Sequence, residues 1–263
     1  MHPLLNIAVK AARAAGQVIV RHADRLDTVT IQDKQPNDFV TEVDRMAERE
    51  IIRVIHRAYP GHAILAEESG TQGSHEEFQW VIDPLDGTTN YLHGIPQYAV
   101  SIALKQKGRL EHGVVYDPVK EELFAASRGA GATLNNRRIR VTQPRDMTGV
   151  LLGTGIPFRE DQNLDYYLRT LSVLLPGTAG VRRAGAASLD LAYVAAGRLD
   201  GFWEIGLHEW DMAAGVLMVQ EAGGLVSDLK GGPDYLATGN VVAAGPKVFK
   251  GMLQRLNPVV NRA

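Results

Sequence analysis

The sequence contains no cysteine. Disulfide frameworks, thiolate zinc sites, iron–sulfur clusters and sulfur nucleophiles are excluded, and with them a Cys-based phosphatase or protease. Nor does it hold an uninterrupted apolar run of the ~18 residues that a membrane span needs. The stretch over residues 4–20 is apolar, but Lys10, Arg13 and Gln17 interrupt it and no basic segment precedes it, so it reads as an amphipathic helix and not as a signal peptide. Leu5, Ala8, Ala12, Ala15 and Ile19 fall on one face of that helix. The expectation is a cytoplasmic protein with no membrane partner. An excess of one charge is also missing. With 28 Lys+Arg against 30 Asp+Glu the net charge is −2, which provides no overall positive field for polyanions.

What is present is a chain of 263 residues, 45% hydrophobic, large enough to bury a full core. No linker, repeat or low-complexity tract divides it, so one unit over 1–263 is expected, sheet-rich over about 1–144 and alternating strands with helices over about 145–263. A second helix is expected over 41–58, with Val43, Ala47, Ile51, Val54 and Ile55 inward, Arg45, Glu48, Arg49 and Arg53 outward, and Pro60-Gly61 as its stop. Strands are expected over 63–66, 80–82, 99–105, 113–116 and 123–126, then over 150–153, 201–204 and 241–244. Helices are expected over 164–175, 188–196, 211–222 and 247–256. This is a mixed α/β pattern of layered sheets and helices, with strand directions left open.

The segment richest in chemistry is Trp80-Val81-Ile82-Asp83-Pro84-Leu85-Asp86-Gly87-Thr88-Thr89-Asn90, a buried-type strand running into two carboxylates, a glycine and two hydroxyls. Pro84 removes a donor and restricts the backbone, so Asp83 and Asp86 bracket a turn that aims both carboxylates, together with the Leu85 carbonyl, into one place. Such an all-oxygen set suits Mg²⁺. Gly87-Thr88-Thr89 then opens a short helix whose unpaired N–H groups suit a phosphate. The plainer reading makes Asp83-Pro84 a strand end and Thr88 a helix cap. Glu67 follows the strand over 63–66, at a spacing that lets two adjacent strands end together, and becomes a further candidate ligand. Asp211 stands where the helix over 211–222 begins, as its N-cap or as the distal carboxylate of a metal cluster. Thr41-x-x-Asp44 fits a capping box. His208 reads as structural or as a substrate neighbour. The basic runs Arg137-Arg138-x-Arg140 and Arg182-Arg183 read as solvated faces, available to a partner. No G-x-x-x-x-G-K-S/T or G-x-G-x-x-G loop occurs, and the D-x-D of an aspartyl-nucleophile phosphatase is missing, which favours water as nucleophile.

These residues resemble the inositol monophosphatase family. The resemblance is carried by Ala66-Glu67-Glu68-Ser69, by Trp80 to Asn90 and by Trp210-Asp211-x-Ala213-Ala214-Gly215. A bacterial subgroup is matched further by Gly153 to Phe158, Ala192 to Arg198 and Glu221 to Gly224. The family implies a layered α-β-α-β-α sandwich of the sugar phosphatase type. It implies a homodimer and a Mg²⁺-dependent, lithium-sensitive phosphomonoesterase acting on inositol 1-phosphate. Carried over residue by residue, Glu67, Asp83 and the Leu85 carbonyl would hold one Mg²⁺, and Asp83, Asp86 and Asp211 a second, with a weaker third on Glu67. Asp44 would orient Thr88, and Thr88 the attacking water. Asp86, Gly87, Thr88, Gly185, Ala187, Glu204 and Asp211 would contact substrate, and Lys34 would lie on a mobile loop. A fructose-1,6-bisphosphatase or 3′-phosphonucleotidase with the same site is the alternative. The bacterial subgroup further implies binding to the transcription elongation machinery, RNA polymerase and Nus factors, and a part in ribosomal RNA maturation.

Overall fold

The computed structural model describes residues 2–23, 31–35, 38–73, 77–158 and 162–260, with backbone alone for 31–35 and 38–40. Helix α1 (Pro3–Ala23) leads to a hairpin of β1 (Ile31–Gln35) and β2 (Asp38–Thr41) and then to α2 (Glu42–Ala58). Next come β3 (Ala63–Ala66), β4 (Gly70–Gln72), β5 (Phe78–Asp86), α3 (Thr88–Leu92), β6 (Ala99–Gln106), β7 (Arg109–Asp117), β8 (Glu122–Ser127), β9 (Gly131–Leu134) and β10 (Arg137–Arg138). The remainder is β11 (Leu151–Thr154), α4 (Leu164–Leu174), β12 (Gly180–Arg182), α5 (Ala187–Ala195), β13 (Gly201–Glu204), α6 (Glu209–Glu221), β14 (Leu225–Ser227), α7 (Tyr235–Thr238), β15 (Val241–Ala244) and α8 (Pro246–Val260).

Eight strands form one sheet in the order β10-β9-β8-β7-β6-β5-β3-β4, and five form a second in the order β12-β11-β13-β15-β14. Two-residue alternation explains how these sheets stack. In β5 and β6, Trp80, Ile82, Val100, Ile102 and Leu104 pack with α1 and α2, whereas Val81, Ala99 and Ala103 face the opposite side, against α5 and α6. In β15, Val241 and Ala243 face that same central helix pair, and Val242 and Ala244 face α4 and α8. Both faces of both sheets are thus covered, which gives the layered α-β-α-β-α sandwich expected from the family resemblance. A strip of alanines on α1 (Ala8, Ala11, Ala12, Ala15) lets it lie close to Ala47 and Ile51 of α2.

All the helices and principal strands foreseen in the sequence are present, with ends shifted by up to four residues. The short strands β4, β9, β10, β12 and β14 were not foreseen. They sit at or next to sheet edges and carry few of the apolar residues from which alternation is read. The segment around Lys34, implied to be a mobile loop, has the backbone of an antiparallel hairpin, β1 against β2, with Ile31 opposite Thr41. The side chain of Lys34 lies outside the described residues. One outward assignment is corrected: Glu48 is 3% exposed, because its Oε2 accepts the N–H of Glu68 at 2.8 Å.

Candidate active site

The site is built where β3 and β5 end. The two strands run parallel, with Ala66 opposite Ile82, and the Glu67 N–H donates to the Ile82 carbonyl at 3.1 Å, so Glu67 and Asp83 emerge side by side. Asp83 follows Val81 on the side of the sheet that carries α5 and α6 and is 2% exposed. Pairing with β6 is irregular between Asp83 and Asp86. Pro84 has no N–H to give, and the Leu85 N–H turns to Asp83 Oδ1 at 2.9 Å. The expected turn is therefore a disturbance inside a continuing strand. Gly87 follows at φ 93°, where a Cβ would also stand 2.9 Å from the Gln97 carbonyl, so only glycine fits before α3.

Other segments are tied to this strand end by named bonds. Asp86 Oδ2 accepts the backbone N–H and the hydroxyl of Ser188 at 2.8 and 2.5 Å, which docks the start of α5 and with it Gly185, Ala186 and Ala187. Asn90 Nδ2 donates to the carbonyls of Gln97 and Ala184 at 2.7 and 2.9 Å. Asp211 arrives on α6. Its expected place as N-cap is corrected: the helix starts at Glu209, His208 is the cap, and Asp211 is the third helical residue, accepting the His208 N–H at 2.7 Å. The His208 ring stacks on Trp210, centroids 4.7 Å apart.

Thr88 does not cap α3, since Gly87 occupies that place without a side chain. Instead its hydroxyl lies 3.0 Å from Asp44 Oδ1 and 3.0 Å from the Leu85 carbonyl. Asp44 completes the capping box of α2 as well, its Oδ2 accepting the N–H and hydroxyl of Thr41. Both of its readings hold together, one on each carboxylate oxygen.

A cavity of about 200 Å³ results, lined by Glu67, Asp83, Leu85, Asp86, Gly87, Thr88, Thr89, Gly185, Ala187, Glu204 and Asp211, with Gly155, Phe158, Arg183, Ala186 and Leu207 completing the wall. Every residue named from the sequence as a ligand or substrate contact is on this wall, and Asp44 stands behind Thr88. A second cavity of about 280 Å³ shares Glu67, Phe158, Arg183, Glu204, Leu207 and Asp211 and extends past Ile156, His208 and Trp210.

The lining is acidic beyond what its neighbours balance. Burial, and then the charges of Glu67, Asp86 and Asp211, push the Asp83 carboxyl well above the usual carboxylate range. Asp86 is pushed up to about 6 by burial, against the opposing pull of the Ser188 donors. Glu204 is also raised well above its usual value, by burial and then by Asp190, Asp211 and Asp86, with Arg183 opposing. Converging carboxylates that mutually disfavour ionisation, joined by the Leu85 carbonyl, are the donor set of a hard divalent cation, so the residues present fit Mg²⁺. Among the described residues no three His, Cys, Asp or Glu side chains form a closed metal cluster. The acids face a shared cavity instead, and protein N–H groups orient one oxygen each of Asp83 and Asp86.

Sequence reasoning missed three contributors. Arg183 was grouped with the solvated faces, yet it lines the cavity, its guanidinium carbon 5.8 Å from the Phe158 ring centre. Its place after the unforeseen strand β12 left no local signal. Ser188 was only a helix residue until Asp86 met it. Gly155 has no side chain because a Cβ there would overlap the Glu204 carboxylate; the Gly153-Thr154-Gly155 run marked it, without a reason.

The model of the inositol monophosphatase family matches residues 1–260. The chain belongs to the inositol monophosphatase family. It is 59% identical to a Nus factor SuhB of Pseudomonas aeruginosa, over 98% of this chain and 97% of that one. Among solved structures, an extragenic suppressor protein SuhB from Bartonella henselae is 43% identical, with a TM-score of 0.94 over 97% of this chain and 98% of that one. An inositol monophosphatase from Anabaena is 39% identical, with a TM-score of 0.87 over 97% and 95%. Family membership makes this cavity that of a metal-dependent phosphatase, and the chain resembles the SuhB type within the family. No helix among the described residues is long and apolar enough to cross a membrane.

Proposed function

We propose that the chain is a Mg²⁺-dependent phosphomonoesterase that hydrolyses inositol 1-phosphate to inositol and phosphate. The observation that carries this reading is the meeting of Glu67, Asp83, Asp86 and Asp211, from three chain segments, with the amides of Gly87 to Thr89 on one cavity. Glu67, Asp83, the Leu85 carbonyl, Asp86 and Asp211 would hold two Mg²⁺ ions and a weaker third. When bound there, such ions supply neutralisation of phosphate charge and acidification of water.

The chain's own residues do the rest. The N–H groups of Gly87, Thr88 and Thr89 sit at a helix start without intrahelical partners and bind phosphate oxygens. Thr88 has one hydroxyl proton and two acceptors, Asp44 and the Leu85 carbonyl. It therefore keeps an oxygen lone pair toward the cavity, which orients a water by accepting its hydrogen and leaves the water oxygen aimed at phosphorus. Glu204, raised toward the neutral form, and the backbone of Gly185 and Ala187 present acceptors and donors to the hydroxyls of a polyol. Phe158 and Leu207 close the wall and keep bulk water from the reacting phosphate.

Steady-state kinetics on a panel of phosphate esters with Mg²⁺ test the assignment, and inhibition by Li⁺ is expected. A strong preference for fructose 1,6-bisphosphate or a 3′-phosphonucleotide would replace the inositol reading with one of its alternatives. The homodimer is supported by α4 and its C-cap, whose outward face carries Leu164, Leu168 and Leu175 at 45%, 47% and 44% exposure. Sedimentation of the Leu164→Glu, Leu168→Glu double variant is expected to give monomer. A second role is supported by the name of the relatives and by the exposed Arg137, Arg138 and Arg140. In this reading the chain binds the transcription elongation machinery in the cytoplasm and assists ribosomal RNA maturation. Asp86→Asn should then retain its partners in a pull-down while losing hydrolysis.

A further inference from the structure

A separate cavity of about 500 Å³ lies on the outer side of the five-stranded sheet, between the 145–148 loop and α8. Its lining consists of Arg145, Asp146, Met147, Thr148, Lys247, Lys250, Gly251, Gln254 and Arg255, and it shares no residue with the catalytic cavity. We propose that this cavity is a binding site for a compact anion carrying two or more phosphate groups, of the pyrophosphate or short polyphosphate class. Four cations surround it in a protein whose net charge is −2. Among the described residues, none of Arg145, Lys247, Lys250 and Arg255 has a carboxylate within ion-pair distance, although Asp146 is in the same lining. Asp146 is bonded to its own loop, accepting the Thr148 N–H at 2.7 Å, and it feels the charges of Arg145 and Arg255 only as the weakest influences on its carboxyl, so it offsets part of the positive charge without pairing with either.

The walls are fixed before any ligand arrives. Arg255 Nη1 donates to the carbonyls of Leu174 and Pro176 at 3.0 and 2.7 Å, which holds its guanidinium in place with its other donors unused by those bonds. Met147 is buried in the outer core and seats against α8 at Gly251, where a Cβ would stand 2.6 Å from the Met147 Cγ, so the loop and the helix cannot separate without opening that core. Lys247, Lys250 and Gln254 recur along the exposed flank of α8, while Val248, Met252 and Leu256 hold its other flank in the core. The four cations converge on one concavity and do not run along a track, which suits a compact polyanion better than an extended nucleic acid. Among the described residues no aromatic ring is present in the lining to stack a base, which disfavours a nucleotide.

The test titrates the full-length chain with pyrophosphate by calorimetry in EDTA at low salt, so that divalent-ion binding at the catalytic cavity does not contribute. One saturable site is expected, weakened about tenfold or more in Lys247→Glu, Lys250→Glu and weakened by added salt. The charge-matched control Arg137→Glu, Arg138→Glu is expected to stay within about twofold of wild type. Equal loss in both variants, no saturation below millimolar pyrophosphate, or tighter binding of a single-stranded RNA through the same lysines would each overturn the proposal. Circular dichroism of both variants separates misfolding from lost binding. If the double lysine variant unfolds, Lys250→Gln alone must still lower the affinity.

Discussion

Replacing Asp44 by Asn separates two tasks that the carboxylate performs at once. Asp44 is 1% exposed, and burial, outweighing the bonds from Thr41 and Thr88, raises its pKa from 3.8 to about 6. The folded protein thus disfavours the charged form relative to the unfolded chain. At ~1.4 kcal/mol for each tenfold change in dissociation, the charge costs about 3 kcal/mol once the pH is well above 6. Asparagine keeps the geometry: its carbonyl oxygen can accept from Thr41, and its amide can donate to the Thr88 oxygen. Asp44→Asn is therefore expected to stabilise the protein in EDTA by up to about 3 kcal/mol at pH 8, an advantage that shrinks toward zero as the pH falls through 6 toward 4. The same change makes Thr88 accept from residue 44 and donate to the Leu85 carbonyl, and it removes the negative charge behind the hydroxyl that makes its oxygen a strong acceptor for the attacking water. Turnover with Mg²⁺ is expected to fall by ~10²–10³. Urea denaturation across pH, paired with kcat, measures both. A variant less stable than wild type at pH 8, or stable but fully active, would refute the argument.

Three further outcomes are expected. Asp83→Asn removes an acid repelled by Glu67, Asp86 and Asp211, so turnover should be lost and the upward shift in Tm on adding Mg²⁺ should shrink, while circular dichroism stays native; retention of that Tm shift would rule Asp83 out as a ligand. Gly155→Ala drives a methyl into the Glu204 carboxylate, and kcat/KM for a polyol phosphate should fall by about tenfold or more, with a smaller loss for a phosphate ester that lacks hydroxyls. Gly215→Ala puts a Cβ 2.5 Å from Leu191 Cβ, between α5 and α6, and should cost about 1–3 kcal/mol in chemical denaturation.

The layered architecture was legible because both sheets are built from strands whose alternate residues enter different cores. Trp80 and Val81 already differ in the face they supply, and Val241 to Ala244 are apolar throughout because helices cover both sides. Amphipathic spacing located α1 and α2 for the same reason, and Thr41-x-x-Asp44 announced the cap of α2. The acidic string from Asp83 to Thr89 was readable as chemistry because strand, proline, acid, glycine and hydroxyl each answer a separate local demand.

Tertiary structure decided everything that depends on segments distant in the chain. Nothing around Arg183 indicates that this exposed residue also lines an acidic cavity, because that follows from strand β12 pairing beside β11. Ser188 becomes the orienting donor of Asp86 across a separation of 102 residues. Gly155 acquires its meaning only from Glu204 on the neighbouring strand β13. Local sequence dictates hydrogen bonds within a turn and the face a side chain takes on its own element. Which foreign side chain meets it there is set by how the layers stack, and that is a property of the whole core.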